Sequence, residues 1–170
     1  PVTATLTRLP PEIPLISKDI SPATIAPGQS STLTVTITNG AQALSNLALS
    51  DFFTDDGTES GVENGMRIAP APEALTDCNG TITAPPGGTS VRLLNGSLGA
   101  SEVCTFEVQV TSETVGTIVN FIPLNSIEND QGSTNSTTFA QSSLSTTSDL
   151  GLSKQFTPAV VSASEESRLR

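Results

Sequence analysis

Lys18, Asp51 and Asn120 are the residues of this chain whose types and positions could make a covalent bond. Each sits at an inward position of an alternating run. Lys18 shares a strand face with Ile16 and Ile20, Asp51 with Leu47, Leu49 and Phe53, and Asn120 with Ile118 and Ile122. A buried charge or carboxamide without a partner is costly, so three such groups are best accommodated together. Desolvation lowers the pKa of an amine and raises that of a carboxyl, which lets a neutral lysine and a protonated aspartate coexist. The Lys18 amine then attacks the Asn120 carboxamide, Asp51 shuttles the proton, and ammonia leaves. The product is an intramolecular isopeptide bond, formed once per chain. A Lys18–Asp51 salt bridge, or a Lys18 that snorkels at a sheet edge with Asn120 in a turn, is the other reading. Val119 and Phe121 alternate on the opposite face, so the direction of Asn120 stays open at this level.

The second candidate linkage is Cys78 with Cys104, the two cysteines of the chain. With no histidine and no second cysteine pair they cannot supply a four-ligand zinc site. They are read as a disulfide closing a loop of about 26 residues, worth roughly 3.5 kcal/mol in chain entropy and implying an oxidising compartment. Two buried thiols acting as small hydrophobes are the alternative. The acidic run with Asp55, Asp56, Glu59 and Glu63 offers oxygen ligands for Ca²⁺. It matches neither the EF-hand spacing nor the Gly-rich nonapeptide repeat, and it reads first as a solvated loop. Asn79-Gly80-Thr81, Asn95-Gly96-Ser97 and Asn135-Ser136-Thr137 match the glycosylation sequon, but the two Asn-Gly steps read as hairpin turns. Without histidine no Ser-His-Asp or Cys-His arrangement exists, and no Gly-rich phosphate loop opens a helix, so an enzyme is not expected.

These side chains need strands to position them. Thr and Ser dominate the polar residues, Gly and Pro number 13 and 12, and no window carries apolar residues at helical spacing. Strands are expected at 2–7, 14–20, 31–38, 46–53, 67–69, 81–84, 90–94, 103–111 and 117–122, with one or two between 134 and 152. Turn dipeptides punctuate them about every ten residues, which argues for an all-β, immunoglobulin-like two-sheet Greek-key sandwich. Leu33, Val35 and Ile37 face the core from one central strand, and Cys104, Phe106, Val108 and Val110 from another. The net charge of −10 repels phosphate backbones and anionic lipid, so neither nucleic acid nor membrane insertion by this segment is expected.

The chain also repeats itself. Ile16-Ser17-Lys18 through Gly28 returns near the end as Leu152-Ser153-Lys154 onward, with one offset of 136 from Lys18 to Lys154, Pro22 to Pro158 and Leu33 to Leu169. That period suits a domain, not a solenoid unit. Residues 1–14 are expected to hold the closing strand and linker of a preceding repeat, with 8–14 an extended proline-rich connector. Residues 15–149 form the repeat domain, and 150–170 open the next one. The same offset places the second connector at 144–150.

Ser17-Lys18 with Ser21-Pro22-Ala23-Thr24-Ile25-Ala26-Pro27-Gly28, Leu33-Thr34-Val35-Thr36-Ile37-Thr38-Asn39, Cys78-Asn79-Gly80-Thr81, Ala84-Pro85-Pro86-Gly87-Gly88 and Cys104-Thr105-Phe106-Glu107-Val108 resemble the tandem DUF11-like, Cys-containing domains of large bacterial surface proteins. The resemblance covers nearly the whole period. It implies an immunoglobulin-like sandwich, an extracellular location and a structural role in a stalk or adhesin, with neighbouring copies of the repeat as partners. It also implies that residues of the type of Lys18, Asp51 and Asn120 can be cross-linked. The acidic stretch at 55–63 departs from that pattern. A self-assembling filament subunit that donates its redundant terminal strand is a second reading, and a Ca²⁺-dependent ligand-binding module a third.

Overall fold

A computed structural model describes residues 13–148 and, beyond them, the backbone of two short strands. The strands in chain order are β1 (Leu15–Ser21), β2 (Thr24–Ile25), β3 (Ser30–Thr38), β4 (Leu44–Phe52), β5 (Arg67–Ile68), β6 (Leu75–Thr76), β7 (Thr81–Thr83), β8 (Ser90–Leu98), β9 (Val103–Thr111), β10 (Gly116–Ile122), β11 (Ile127–Glu128) and β12 (Ala140–Thr146), followed by β13 (Phe156–Thr157) and β14 (Arg168–Leu169). The strand expected at 2–7 and most of the connector at 8–14 lie outside the described residues. The second connector, placed at 144–150, instead begins as the end of β12.

One layer has the order β1-β3-β9, with β5 and β6 both pairing the far side of β9. The other layer combines β7-β8-β4, to which β11 adds at residues 48–49, with β10-β12-β2. β10 lies alongside the second half of β4, where the Asn120 side chain reaches the Phe52 carbonyl. The chain crosses between layers from β3 to β4, from β8 to β9 and from β9 to β10, as in an immunoglobulin-like Greek key. It also changes layer at Ser21-Pro22: β1 pairs antiparallel with β3, whereas β2 pairs parallel with β12. The core between the layers is aliphatic with two phenylalanines, Phe53 and Phe106, fully buried.

Strict alternation explains β3 and β9, whose inward residues are all buried. β4 and β8 break the alternation, and the breaks are informative. Leu44 and Leu47 both face in on β4, as do Leu93 and Gly96 on β8, so each strand carries one extra residue. The pairing jumps from Leu44↔Leu98 to Leu47↔Gly96 and then to Leu49↔Leu93. Asn46 and Asn95 take up the slack at φ of 50° and 54°, the left-handed region that Asn tolerates. Asn95-Gly96 is therefore a bulge inside β8 and not the hairpin turn that the dipeptide suggests, and Asn79-Gly80 joins no hairpin either, because β6 pairs with β9 and β7 with β8. The β4 bulge sets the phase that turns Asp51 inward.

β13 and β14 pair as Phe156↔Leu169 and Thr157↔Arg168. The positions 136 earlier pair as Ile20↔Leu33 and Ser21↔Thr32, the same register. β1 occupies its own place beside β3.

Gly80 lies against the β8 bulge: a Cβ there would stand 2.7 Å from the Leu94 carbonyl oxygen and 2.9 Å from the Gly96 Cα. These are backbone atoms of one strand, which cannot step aside as a side-chain tip can. Gly80→Ala is expected to lower stability by about 2 kcal/mol, read as a lower urea midpoint at unchanged slope.

Candidate functional site

β1, β4 and β10 bring Lys18, Asp51 and Asn120 to one point inside the sandwich. β1 is an edge strand with exposed backbone, yet the Lys18 side chain is 0% exposed, as is that of Asp51. Asn120 is equally buried, while Val119 is exposed and Phe121 half-buried, so the inward direction of Asn120 is resolved. The Lys18 Nζ donates to Asp51 Oδ2 at 2.5 Å and to Asn120 Oδ1. The Asn120 Nδ2 donates to Asp51 Oδ1 at 3.2 Å and to the Phe52 carbonyl at 3.0 Å. Asp51 thus has one oxygen on the amine and the other on the carboxamide nitrogen. Each member contacts both others.

Burial is the dominant electrostatic fact. It pushes the Lys18 amine below its ordinary pKa and the Asp51 carboxyl above its own; their mutual attraction and hydrogen bonds offset both shifts only in part. A neutral amine facing a carboxamide, with a carboxyl touching both nitrogens, is a nucleophile, an electrophile and a proton relay in contact.

Cys78 and Cys104 are joined, with Cα atoms 5.0 Å apart. Cys78 lies between β6, which pairs with β9, and β7, which pairs with β8. The bond therefore fastens the crossing segment back onto β9. Among the described residues the only grouping of three acidic or sulfur ligands is Asp77 with these two cysteines, whose sulfurs are already bonded to each other.

The four acidic candidates for Ca²⁺ do not converge. Asp55 accepts from the Val62 amide at 2.9 Å, and Asp56 from the amide and hydroxyl of Thr58 at 2.8 and 2.9 Å. Those donors hold Asp56 below the usual carboxylate range. Glu59 pairs with Arg92 and Glu63 with Arg67. Arg92 also lies over the Phe52 ring at 5.2 Å, on one wall of a groove shared with Leu94 and Leu124. Nothing in the spacing of these residues pointed to that groove.

Of the sequon asparagines, Asn79 and Asn95 are exposed, but Asn135 is a buried hub. It accepts from the amides of Ser126 and Ile127 and donates to the carbonyls of Pro123 and Thr138. Asn39 does similar work between Gln42 and Gly99. Their burial among loops leaves no periodic signal in a sequence.

A family model for a domain of unknown function, DUF7933, matches residues 14–145. The chain belongs to this family. The match is to DUF7933 and not to the DUF11-like class that the motifs resemble. None of the curated proteins compared with this member matches it. Among solved structures, the major pilin subunit BcpA of Bacillus cereus is similar with a TM-score of 0.50 at 11% identity, over 80% of this chain and 40% of that one. The bacterial hydrophobin BslA gives 0.47 at 15% identity, covering 81% and 96%, and a non-cellulosomal cohesin from Archaeoglobus fulgidus 0.42 at 14%, covering 79% and 92%. At such identities the likeness concerns the fold alone. No helix of the described residues is long and apolar enough to cross a membrane.

The disulfide spans 26 residues. On the chain-entropy account, its reduction is expected to cost about 3.5 kcal/mol, measured as the difference in denaturant midpoint between oxidised and fully reduced protein.

Proposed function

We propose that this domain is a non-enzymatic structural module of a bacterial extracellular fibre or adhesin, one of a tandem series, locked by its disulfide and by an isopeptide bond between Lys18 and Asn120. The buried contact of amine, carboxyl and carboxamide carries the reading. The repeated motif and the matching register of β13 with β14 support a second copy beginning at the end of the chain. The disulfide supports an oxidising, extracellular setting. A pilin subunit shares the fold. Neighbouring repeats are the proposed partners, and no cofactor is required.

The reaction balances within the triad. A bond forms between Lys18 Nζ and Asn120 Cγ as the bond from that carbon to Nδ2 breaks. One amine proton passes by way of Asp51 to the departing nitrogen, which leaves as ammonia. Asp51 ends as it began. The Phe52 carbonyl holds the amide nitrogen on the Asp51 side throughout.

Intact mass tests this directly: the native chain is expected to be lighter than its sequence by about 17 Da, the mass of ammonia, beyond the 2 Da or so of the disulfide. Asp51→Asn and Lys18→Met should abolish the ammonia deficit and keep only that of the disulfide. They should also lose about 4–5 kcal/mol, the chain entropy of a link closing roughly 100 residues. A native chain at full sequence mass would sink the proposal.

The rate should also depend on pH in a defined way. The reactive neutral pair holds the same single proton as the ion pair, so the balance between the two does not change with pH. Acid protonates the amine and alkali removes the Asp51 proton. Each of these end states leaves one unpaired charge in the desolvated site, so burial disfavours both and leaves a plateau between the two limbs. Chain collected in denaturant before it has ever folded, and then diluted across pH, should show that plateau and a fall on both sides when the lighter fraction is read against time.

A further inference from the structure

The chain enters and leaves this domain at opposite poles. Leu15 opens β1 beside Thr38, whereas β12 ends with Thr146 beside Ile25, and β2 and β12 run parallel. Tension applied through both flanks therefore runs along these strands and loads their pairing in shear. The bonds that resist it are Ser145 N–H to the Ala23 carbonyl at 2.8 Å and Thr147 N–H to the Ile25 carbonyl at 2.9 Å.

A link from Lys18 to Asn120 does not close the whole domain. It starts in the first strand but ends in β10, with β11 and β12 still to come. Force follows the shortest covalent path, so 18–120 carries no load once the link exists, and the disulfide lies wholly inside that shielded part. Residues 121–148 stay in the load path with only non-covalent contacts. They are held by the β10–β12 ladder, the buried side chains of Ile127, Ala140 and Leu144, and the Asn135 hub. Both buried side-chain oxygens that lack a partner among the described residues, Thr138 Oγ1 and Thr146 Oγ1, belong to this segment. An unsatisfied buried hydroxyl weakens the folded state locally.

We infer that the domain is a tether of limited extension. Under load, β12 and β11 release as a unit, the chain lengthens by the slack of 121–148, and the link stops further unfolding. Because the 18–120 part remains a folded template, β12 re-pairs with β10 when the load falls. The inference rests on the cross-link reading and adds to it a length. About 33 residues, on either side of the link, extend to roughly 110–120 Å at the maximal reach per residue. Subtracting a folded span of roughly 35–40 Å, from the rise of the eleven or so residues along β1 and β2, leaves a step of about 70–90 Å.

The test is single-molecule stretching of the full 170-residue chain held by its two ends, on material whose intact mass has first been measured. Chain lighter by the mass of ammonia should give one recoverable step of about 70–90 Å, equal in oxidised and reduced samples. Unlinked Asp51→Asn, or Lys18→Met if the first does not fold, should give about 400–450 Å when reduced and about 90 Å less with the disulfide intact. Ten Gly/Ser residues inserted after Gly132 should lengthen the native step by about 35 Å, while the same insert after Gly87, within the shielded part, should leave it unchanged. Both are open turn positions with room for a side chain. Linked chain that shows no step before its tethers detach, or a step unmoved by the Gly132 insert, overturns the tether. Unlinked native mass overturns it together with the cross-link.

Discussion

Placing the Lys18 amine between two sheets of aliphatic side chains is the constraint on which the rest of this sandwich depends. An ammonium without partners would cost far more there than any single packing contact returns. The structure meets the cost by setting a carboxyl and a carboxamide, from two strands of the opposite layer, in contact with the amine. That in turn fixes the phase of three strands. A slip of one residue in β1, β4 or β10 would turn its polar member to solvent and its isoleucines or leucines outward with it. In β4 the phase is adjusted by the bulge at Asn46, which lets Leu44 and Asp51 face the same core despite lying an odd number of residues apart.

Other buried polar groups are satisfied differently, and the contrast isolates the triad. Asn39 and Asn135 spend their hydrogen bonds on loop backbone, and Ser31 and Thr54 reach the carbonyls of Pro22 and Thr58. Those contacts hold turns in place and bring no amine and carboxyl against a carboxamide. In the triad three side chains satisfy one another, and the same burial that makes the arrangement necessary shifts both ionisable members toward their neutral, reactive forms.

Much of this was legible because it is written in alternation. The inward faces of β3 and β9 follow from period two, and the same parity put Lys18 and Asp51 on core faces, while Asn120, flanked by Val119 and Phe121 on the other parity, stayed open until the contacts were visible. With two cysteines the one possible partner of Cys78 was Cys104, and the structure decides for the disulfide over two buried thiols. What escaped was either too short or ambiguous. β2, β6 and β11 are two residues each, below any period. Asn-Gly signals a hairpin through its left-handed Asn, but here that backbone serves a bulge at Asn95 and a crossing turn at Asn79, and neither could be placed until the pairing partners were visible. Asn135 resembled an exposed sequon because nothing local announces that loops from 123 to 138 close over it. Parity also places a residue on a face without saying what stands opposite. That β1 lies against β12 while its Lys18 side chain reaches across to Asn120 on β10 is a property of the Greek key.

The same alternation explains why the proposed link ends one strand short of the exit. On β12 the positions facing inward are Ala140, Ser142, Leu144 and Thr146, and the one carboxamide of that strand, Gln141, is exposed. Its hydroxyls offer an amine no acyl group to attack, so no acceptor exists on the exit strand. β10 provides the inward carboxamide that the Lys18 amine touches, and the proposed link therefore ends there. The exit strand is left to hydrogen bonds and a few aliphatic contacts by composition alone. With the proposed link in place, such a module would meet load with two kinds of resistance in sequence: a shear patch that yields and re-forms, and a covalent stop that does not.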